Sequence, residues 1–128
     1  MTRLRAEHPT LSAADDSYTN HIHADDLARI ICAALRHAKP NRIYNSCDDS
    51  NLKMGEYFDL VADEFHLPRP PRIALNQAKE LISPSMLSFM KESRRLKNNR
   101  MKQELLVSLQ YPTVLDGIRT DQTIYPEK

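Results

Sequence analysis

Four side chains able to hold a metal or move a proton, His21, His23, Asp25 and Asp26, crowd into the start of the stretch N-H-I-H-A-D-D-L-A-R-I-I-C-A-A-L, residues 20–35. If the residues around them form a strand, the two histidines share one face, because strand side chains alternate with period two. A zinc or iron site needs a third and fourth ligand held rigidly, and the spacing of His37 and His66 does not aim them there. The plainer assignment is that the acids cap a helix and the histidines hydrogen-bond at a strand end, so no metal is expected. Cys32 and Cys47 lack the adjacent base of a nucleophilic thiol, although His37 is five residues from Cys32, and both read as buried small hydrophobes. No G-x-S-x-G elbow presents a serine. The densest charge is Ser93–Lys102, with five cations in ten residues. Its arginines suit a phosphate, whose oxygens match the guanidinium fork, but a solvated face is the simpler assignment. Nucleic acid is the least supported, since no aromatic residues interleave the cations as stacking platforms.

The glycine count excludes more than any motif includes. Only Gly55 and Gly117 occur, where average usage of about 7% would give roughly nine. A phosphate-cradling loop needs several glycines together so that the backbone can approach the anion. The chain therefore carries neither a Rossmann fingerprint nor a P-loop. A formal net charge of +1 over 128 residues gives no global pull toward nucleic acid or an anionic membrane. No run of about 18 apolar residues suggests a membrane span, and the N-terminus lacks the apolar core of a signal peptide. Two isolated cysteines fit a reduced, cytoplasmic protein better than a disulfide framework.

The elements that must position these groups follow from periodicity. Leu4–Glu7 reads as a helix end stopped by Pro9, residues 10–17 as a polar loop, and residues 18–23 as a strand. A helix over residues 25–38 has Leu27, Ile31 and Leu35 at i, i+4 and i+8 with alanines beside them. It is apolar around most of its circumference and has to be covered. Residues 42–47, R-I-Y-N-S-C, read as a second strand, which makes strand, helix, strand the unit of a parallel pair. Such a pair normally belongs to a larger sheet, and that sheet is not in this sequence. Met54, Tyr57, Phe58, Val61 and Phe65 mark an amphipathic helix, and three prolines make residues 67–73 a stiff connector. Short helices follow over 77–82 and from Ser83-Pro84. Ser93–Lys97 reads as extended, and Asn98 or Asn99 caps a helix with Met101, Leu105 and Leu109 inward until Tyr111-Pro112 breaks it. Val114, Leu115 and Ile118 form a last amphipathic turn before a frayed tail after Thr120.

Three segments, I-H-A-D-D-L-A at residues 22–28, R-I-Y-N at 42–45, and N-R-M-K-Q-E-L at 99–105 followed by Tyr111-Pro112, resemble in order and spacing the C-terminal part of the extended short-chain dehydrogenase/reductase family. That family includes the NAD-dependent epimerases and dehydratases of nucleotide sugars. The resemblance covers residues 18–118. It implies an α/β, mostly helical fold, with residues 1–47 as the last strand-helix-strand of a Rossmann-type cofactor sheet and residues 48–128 as the substrate-binding region. It further implies that Asn20, His23 and Asp26 hold the junction between the two. Tyr44 and Asn45 would end the last sheet strand beside the substrate, and Lys91, Arg94 and Arg95 would offer cations to its phosphates.

The departures from the family are as informative. The glycine loop is absent, and so is the Tyr-x-x-x-Lys pair, in which lysine lowers the pKa of the tyrosine that acts as base. The positions four after Tyr18, Tyr44, Tyr57 and Tyr111 hold Ile22, Asp48, Val61 and Leu115. The expectation is thus a substrate-binding fragment with no catalytic residue, inactive alone and binding no cofactor alone, NAD or NADP serving intact relatives. Its expected partner is the missing cofactor-binding half or a second copy, with a nucleotide sugar as ligand; membrane and nucleic acid are not expected. The alternative is a small helical protein-protein interaction module.

Overall fold

The computed structural model describes residues 8–124, with side chains to Thr120; the expected helix end at Leu4–Glu7 lies outside them. The fold is α/β and mostly helical, as expected, with six helices and four two-residue strands among the described residues. Contacts divide the chain into two compact units, Met1–Thr19 with Asn51–Arg95, and Asn20–Ser50 with Leu96–Lys128. These units cut the chain elsewhere than the expected division after residue 47, because the loop before residue 20 is tied to the helices after residue 50.

In the first unit β1 (Thr10–Leu11) pairs in parallel with β4 (Arg72–Ile73) in the register Thr10↔Arg72 and Leu11↔Ile73. The proline connector could not be a helix, but Pro71 still has a carbonyl, and it accepts from Thr10 N at 2.9 Å. β2 (Tyr18–Thr19) lies antiparallel to β3 (Leu52–Lys53), which runs directly into α2 (Met54–Glu64). Two short helices follow, α3 (Leu75–Leu81) and α4 (Pro84–Met90), the latter capped by Ser83 with proline at its first turn as the sequence suggests. The core is Leu11, Met54, Ala78 and Met90, with Phe58, Ile73, Leu75, Ile82 and Leu87 packed on it. The acidic loop is a set of caps. Asp15 accepts from Leu75 N at the start of α3, and Asp16 accepts from Gly55 N in the first turn of α2. α2 ends in a Schellman motif, with Leu67 N donating to Ala62 O and His66 N to Asp63 O, and His66 takes the left-handed φ of 53° that glycine usually supplies.

In the second unit α1 (Ala24–His37) is present where expected. The strands expected on either side of it are not. Residues 18–23 shrink to β2, whose partner is β3 rather than residues 42–47, and residues 42–47 enter no ladder. A strand exists only where a neighbour offers donors and acceptors. Here Asp48, just past the second segment, donates its N–H to His21 O at 2.7 Å without building a ladder. α5 (Asn99–Glu104) is also shorter than expected, ending where Leu106 turns to φ 56° rather than at Tyr111-Pro112. The expected last turn is instead a full helix, α6 (Val114–Ile124), so the frayed tail cannot begin at Thr120. Thr113 and Asp116 cap it reciprocally, Thr113 N donating to Asp116 and Asp116 N to Thr113 Oγ1. The core is Ile30, Met101, Leu105 and Val107, with Ile22, Ala33, Ala34, Tyr44 and Leu109 against it.

Gly55 is required by a close approach, since a Cβ there would lie 1.3 Å from Arg72 Nη1. That guanidinium bonds Leu11 O, Asp16 and Asp59, so moving it aside breaks three contacts. Gly55→Ala is expected to cost about 1 kcal/mol, the lost contacts outweighing the helix-propensity gain. With Arg72→Met already in place, the same change should stabilise by roughly 0.5–1 kcal/mol. Additive effects in urea unfolding would show that the guanidinium is not what excludes a side chain there.

Candidate functional site

The motif that opened the sequence reading is built as a junction inside the second unit. His23 is the N-cap of α1, its Nδ1 accepting from Asp25 N at 3.2 Å, so the histidine takes the capping role that residue type would have given to the acids. Its ring lies 3.8 Å from that of Tyr111, centroid to centroid. Its Cδ2 stands 3.0 Å from where a Cβ on residue 117 would be, which accounts for Gly117. Asp26 turns inward and is fully buried. One carboxylate oxygen accepts from Gln110 N at 3.0 Å and Arg29 Nη1 at 2.9 Å, the other from Tyr111 N at 2.8 Å. Asn20 Oδ1 accepts from Leu96 N at 2.9 Å. Asn20, His23 and Asp26 therefore each hold main chain or ring in place. Among the described residues no three His, Cys, Asp or Glu side chains group to hold a metal.

Tyr44 and Asn45 are half-buried and engaged within the same unit. The Tyr44 hydroxyl donates to Glu104 Oε2 at 2.9 Å and accepts from Lys39 N at 3.0 Å, while Arg42 takes the other Glu104 oxygen at 3.0 Å. Asn45 Nδ2 donates to Lys97 O at 3.3 Å. The second half of the basic run is also absorbed. Arg100 donates to Ile43 O, and Lys102 pairs with Asp49 at 2.6 Å. Asn98, whose place in the sequence suggested only a cap, is buried and donates through Nδ2 to Cys47 O, Asp48 O and Asp49 Oδ1. Burial works against the Asp49 charge, but the bonds from Asn98 and Lys102 and the lysine's charge outweigh it and hold the carboxyl below the usual range. Burial, and then the charges of Asp48 and Asp49, push the Cys47 thiol up, so it is an inert one. Cys32, by contrast, is exposed, against the expectation of burial, because α1 turns only one stripe inward.

The first unit carries the other cations expected to meet a substrate. Lys91, at the C-cap of α4, and Arg94 and Arg95 after it are all exposed. Arg94 pairs with Glu92 at 3.2 Å, and Arg94 N reaches Tyr18 O. The Arg95 guanidinium lies 4.8 Å above the Tyr18 ring, which Lys53 Nζ approaches to 5.8 Å. The sequence marked the arginines but not Tyr18, since the ring is brought to them by a pairing 75 residues apart, Tyr18 N donating to Ser93 Oγ. The arrangement can attract and orient an anion.

Two outcomes follow for the second unit. Removing the carboxylate in Asp26→Ala strands the N–H groups of Gln110 and Tyr111 and should cost about 3 kcal/mol, whereas Asp26→Asn, which keeps an acceptor, should cost less. Equal losses in chemical denaturation would show that a neutral acceptor at this position contributes nothing. Burial also lowers the His21 pKa below 6.5, so the folded chain binds fewer protons there than the unfolded chain. Its contribution to stability is complete above that value and is lost as pH falls below it through the lowered folded pKa. The melting temperature should drop as pH falls below about 6.5, and His21→Gln should flatten that drop.

No model of a known protein family matches the chain, and no curated protein matches it. A solved structure does, that of a functionally unknown conserved protein from Silicibacter pomeroyi DSS, at 28% sequence identity with a TM-score of 0.79. The likeness covers 91% of this chain but only 40% of that one, so the chain spans well under half the length of that protein.

Proposed function

We propose that the chain is the C-terminal, substrate-binding portion of an extended short-chain dehydrogenase/reductase acting on a nucleotide sugar, and that it performs no hydride transfer by itself. The observation that carries this reading is the surface of α1. The helix buries only Asp26 and Ile30 outright, leaving Ile31 56% and Leu35 85% exposed. In the segment after it, which has strand composition but no ladder, Ile43 is 78% exposed. A helix with that much bare apolar surface, followed by a strand without a sheet, is what remains when a cofactor-binding sheet is supplied from outside these residues. The match to 40% of a larger chain supports the same view. NAD or NADP, held by that absent portion, would supply the redox chemistry.

In this reading Asn20, His23 and Asp26 set the junction, Tyr44 and Asn45 end the last sheet strand, and Lys91, Arg94 and Arg95 face the substrate diphosphate. Arginine suits that task because its fork meets two phosphate oxygens at once. A cytoplasmic location goes with it; among the described residues no helix is long and apolar enough to cross a membrane. The second reading, a helical protein-protein interaction module, is favoured by the same exposed face of α1.

Calorimetric titration separates the two. UDP-glucose should bind saturably, at least about tenfold more weakly after Arg94→Ala with Arg95→Ala, since each lost charge-assisted bond is worth about 1.4 kcal/mol or more, and NADH should not bind saturably at all. Saturable NADH binding, or UDP-glucose binding indifferent to both arginines, would overturn the assignment.

A further inference from the structure

The exposed face of α1 is its own complement. Two rows with i, i+4 spacing run side by side along it, a large one of Leu27, Ile31 and Leu35 and a small one of Ala24, Ala28 and Cys32, all of them exposed. Rows of this kind are the ridges and grooves by which helices pack. Over the small row lies a groove of about 340 Å³ whose lining is apolar at Ala28, Cys32, Ala33, Leu105 and Leu106 and basic at Arg29, Arg36 and His37. Leu106, 72% exposed at its left-handed turn, forms the far wall. The groove has room for aliphatic side chains, and the neighbouring row offers three of them on the same helix.

Charge selects the direction. The first turn of α1 carries Asp25 on the surface, and the last turn carries Arg36 and His37, followed by Lys39. Parallel pairing would set acid against acid and base against base. Antiparallel pairing sets Asp25 of each helix beside the basic end of the other, in the sense that also opposes the two helix dipoles. A two-fold axis delivers this arrangement at both ends at once.

We propose that α1 pairs antiparallel with α1 of a second copy of this chain, each large row seated in the other's groove. The register that satisfies both size and charge sets Leu35 over Ala28 of the partner helix and Ile31 against Cys32. The pairing does not rest on the nucleotide-sugar reading. It competes with any cofactor-binding portion for the same face, so a copy engaged in one is closed to the other.

Sedimentation velocity on the full 128-residue chain tests this. A concentration-dependent dimer is expected, and Leu35→Lys, at a position 85% exposed and therefore harmless to the fold, should render it monomeric with an unchanged circular dichroism spectrum. Asp25→Lys should weaken the dimer at least about tenfold at low salt, and adding Arg36→Glu should recover most of the loss. A short bis-maleimide should link two copies through Cys32, because Cys47 is buried, and Cys32→Ser should abolish the product. A monomer at every concentration, or a dimer that survives Leu35→Lys, would overturn the proposal. Either result leaves the UDP-glucose titration unaffected, so failure of the pairing is distinguishable from failure of the substrate assignment.

Discussion

The buried carboxylate of Asp26 is the constraint on which the second unit depends. A charge taken out of water is costly unless its lone pairs are filled, and here two main-chain N–H groups and an arginine fill them. Bonds to a charged acceptor are worth about 1.5–3 kcal/mol each, more than most neutral ones. The carboxylate fixes the rotation of α1 about its axis, since the side that carries Asp26 must face residues 110 and 111. With that rotation set, Ile30, one turn on, points to Met101 and Leu105, and Leu27, Ile31 and Leu35 point away. The bare apolar face is thus a consequence of where one acid has to be.

The same economy of means runs through the first unit. With strands only two residues long, ladders satisfy few backbone groups, and side-chain acceptors supply the rest. Asp15, Asp16 and Glu56 take N–H groups at residues 75, 55 and 53. Arg72 bridges Asp16 and Asp59 over Gly55. Glycine is so scarce that the left-handed turns fall to other residues, at Asn41, His66 and Leu106. Asparagine and histidine accept that conformation more readily than leucine, whose branched side chain makes the turn at 106 an uncommon one.

Chemical capacity is distributed unevenly. The residues that looked most reactive in the sequence, the His-Asp cluster, prove to be a cap, a ring stack and a buried anchor. The basic run divides: Arg100 and Lys102 are tied to Ile43 O and Asp49, while Lys91, Arg94 and Arg95 stay on the surface near an aromatic ring. What is left on the surface of that run is a group of cations beside an aromatic ring.

The sequence by itself determined the helices and the exclusions. Periods of three to four apolar residues, a serine before a proline, and the absence of clustered glycines are local facts, and local physics reads them: α1, α2 and α4 lie where the pattern puts them, and no phosphate loop could be assembled. Strand composition at residues 42–47 is local too, yet it predicted a ladder that is absent, because a ladder needs a partner that composition cannot supply. Tertiary structure alone decided that His23 rather than Asp25 caps α1, that Asp26 is buried against residues 84 and 85 positions away, and that Tyr18 lies under Arg95. Each of these depends on a chain segment distant in sequence. A side chain's type sets which bonds it is able to make, and only the fold determines which partner arrives.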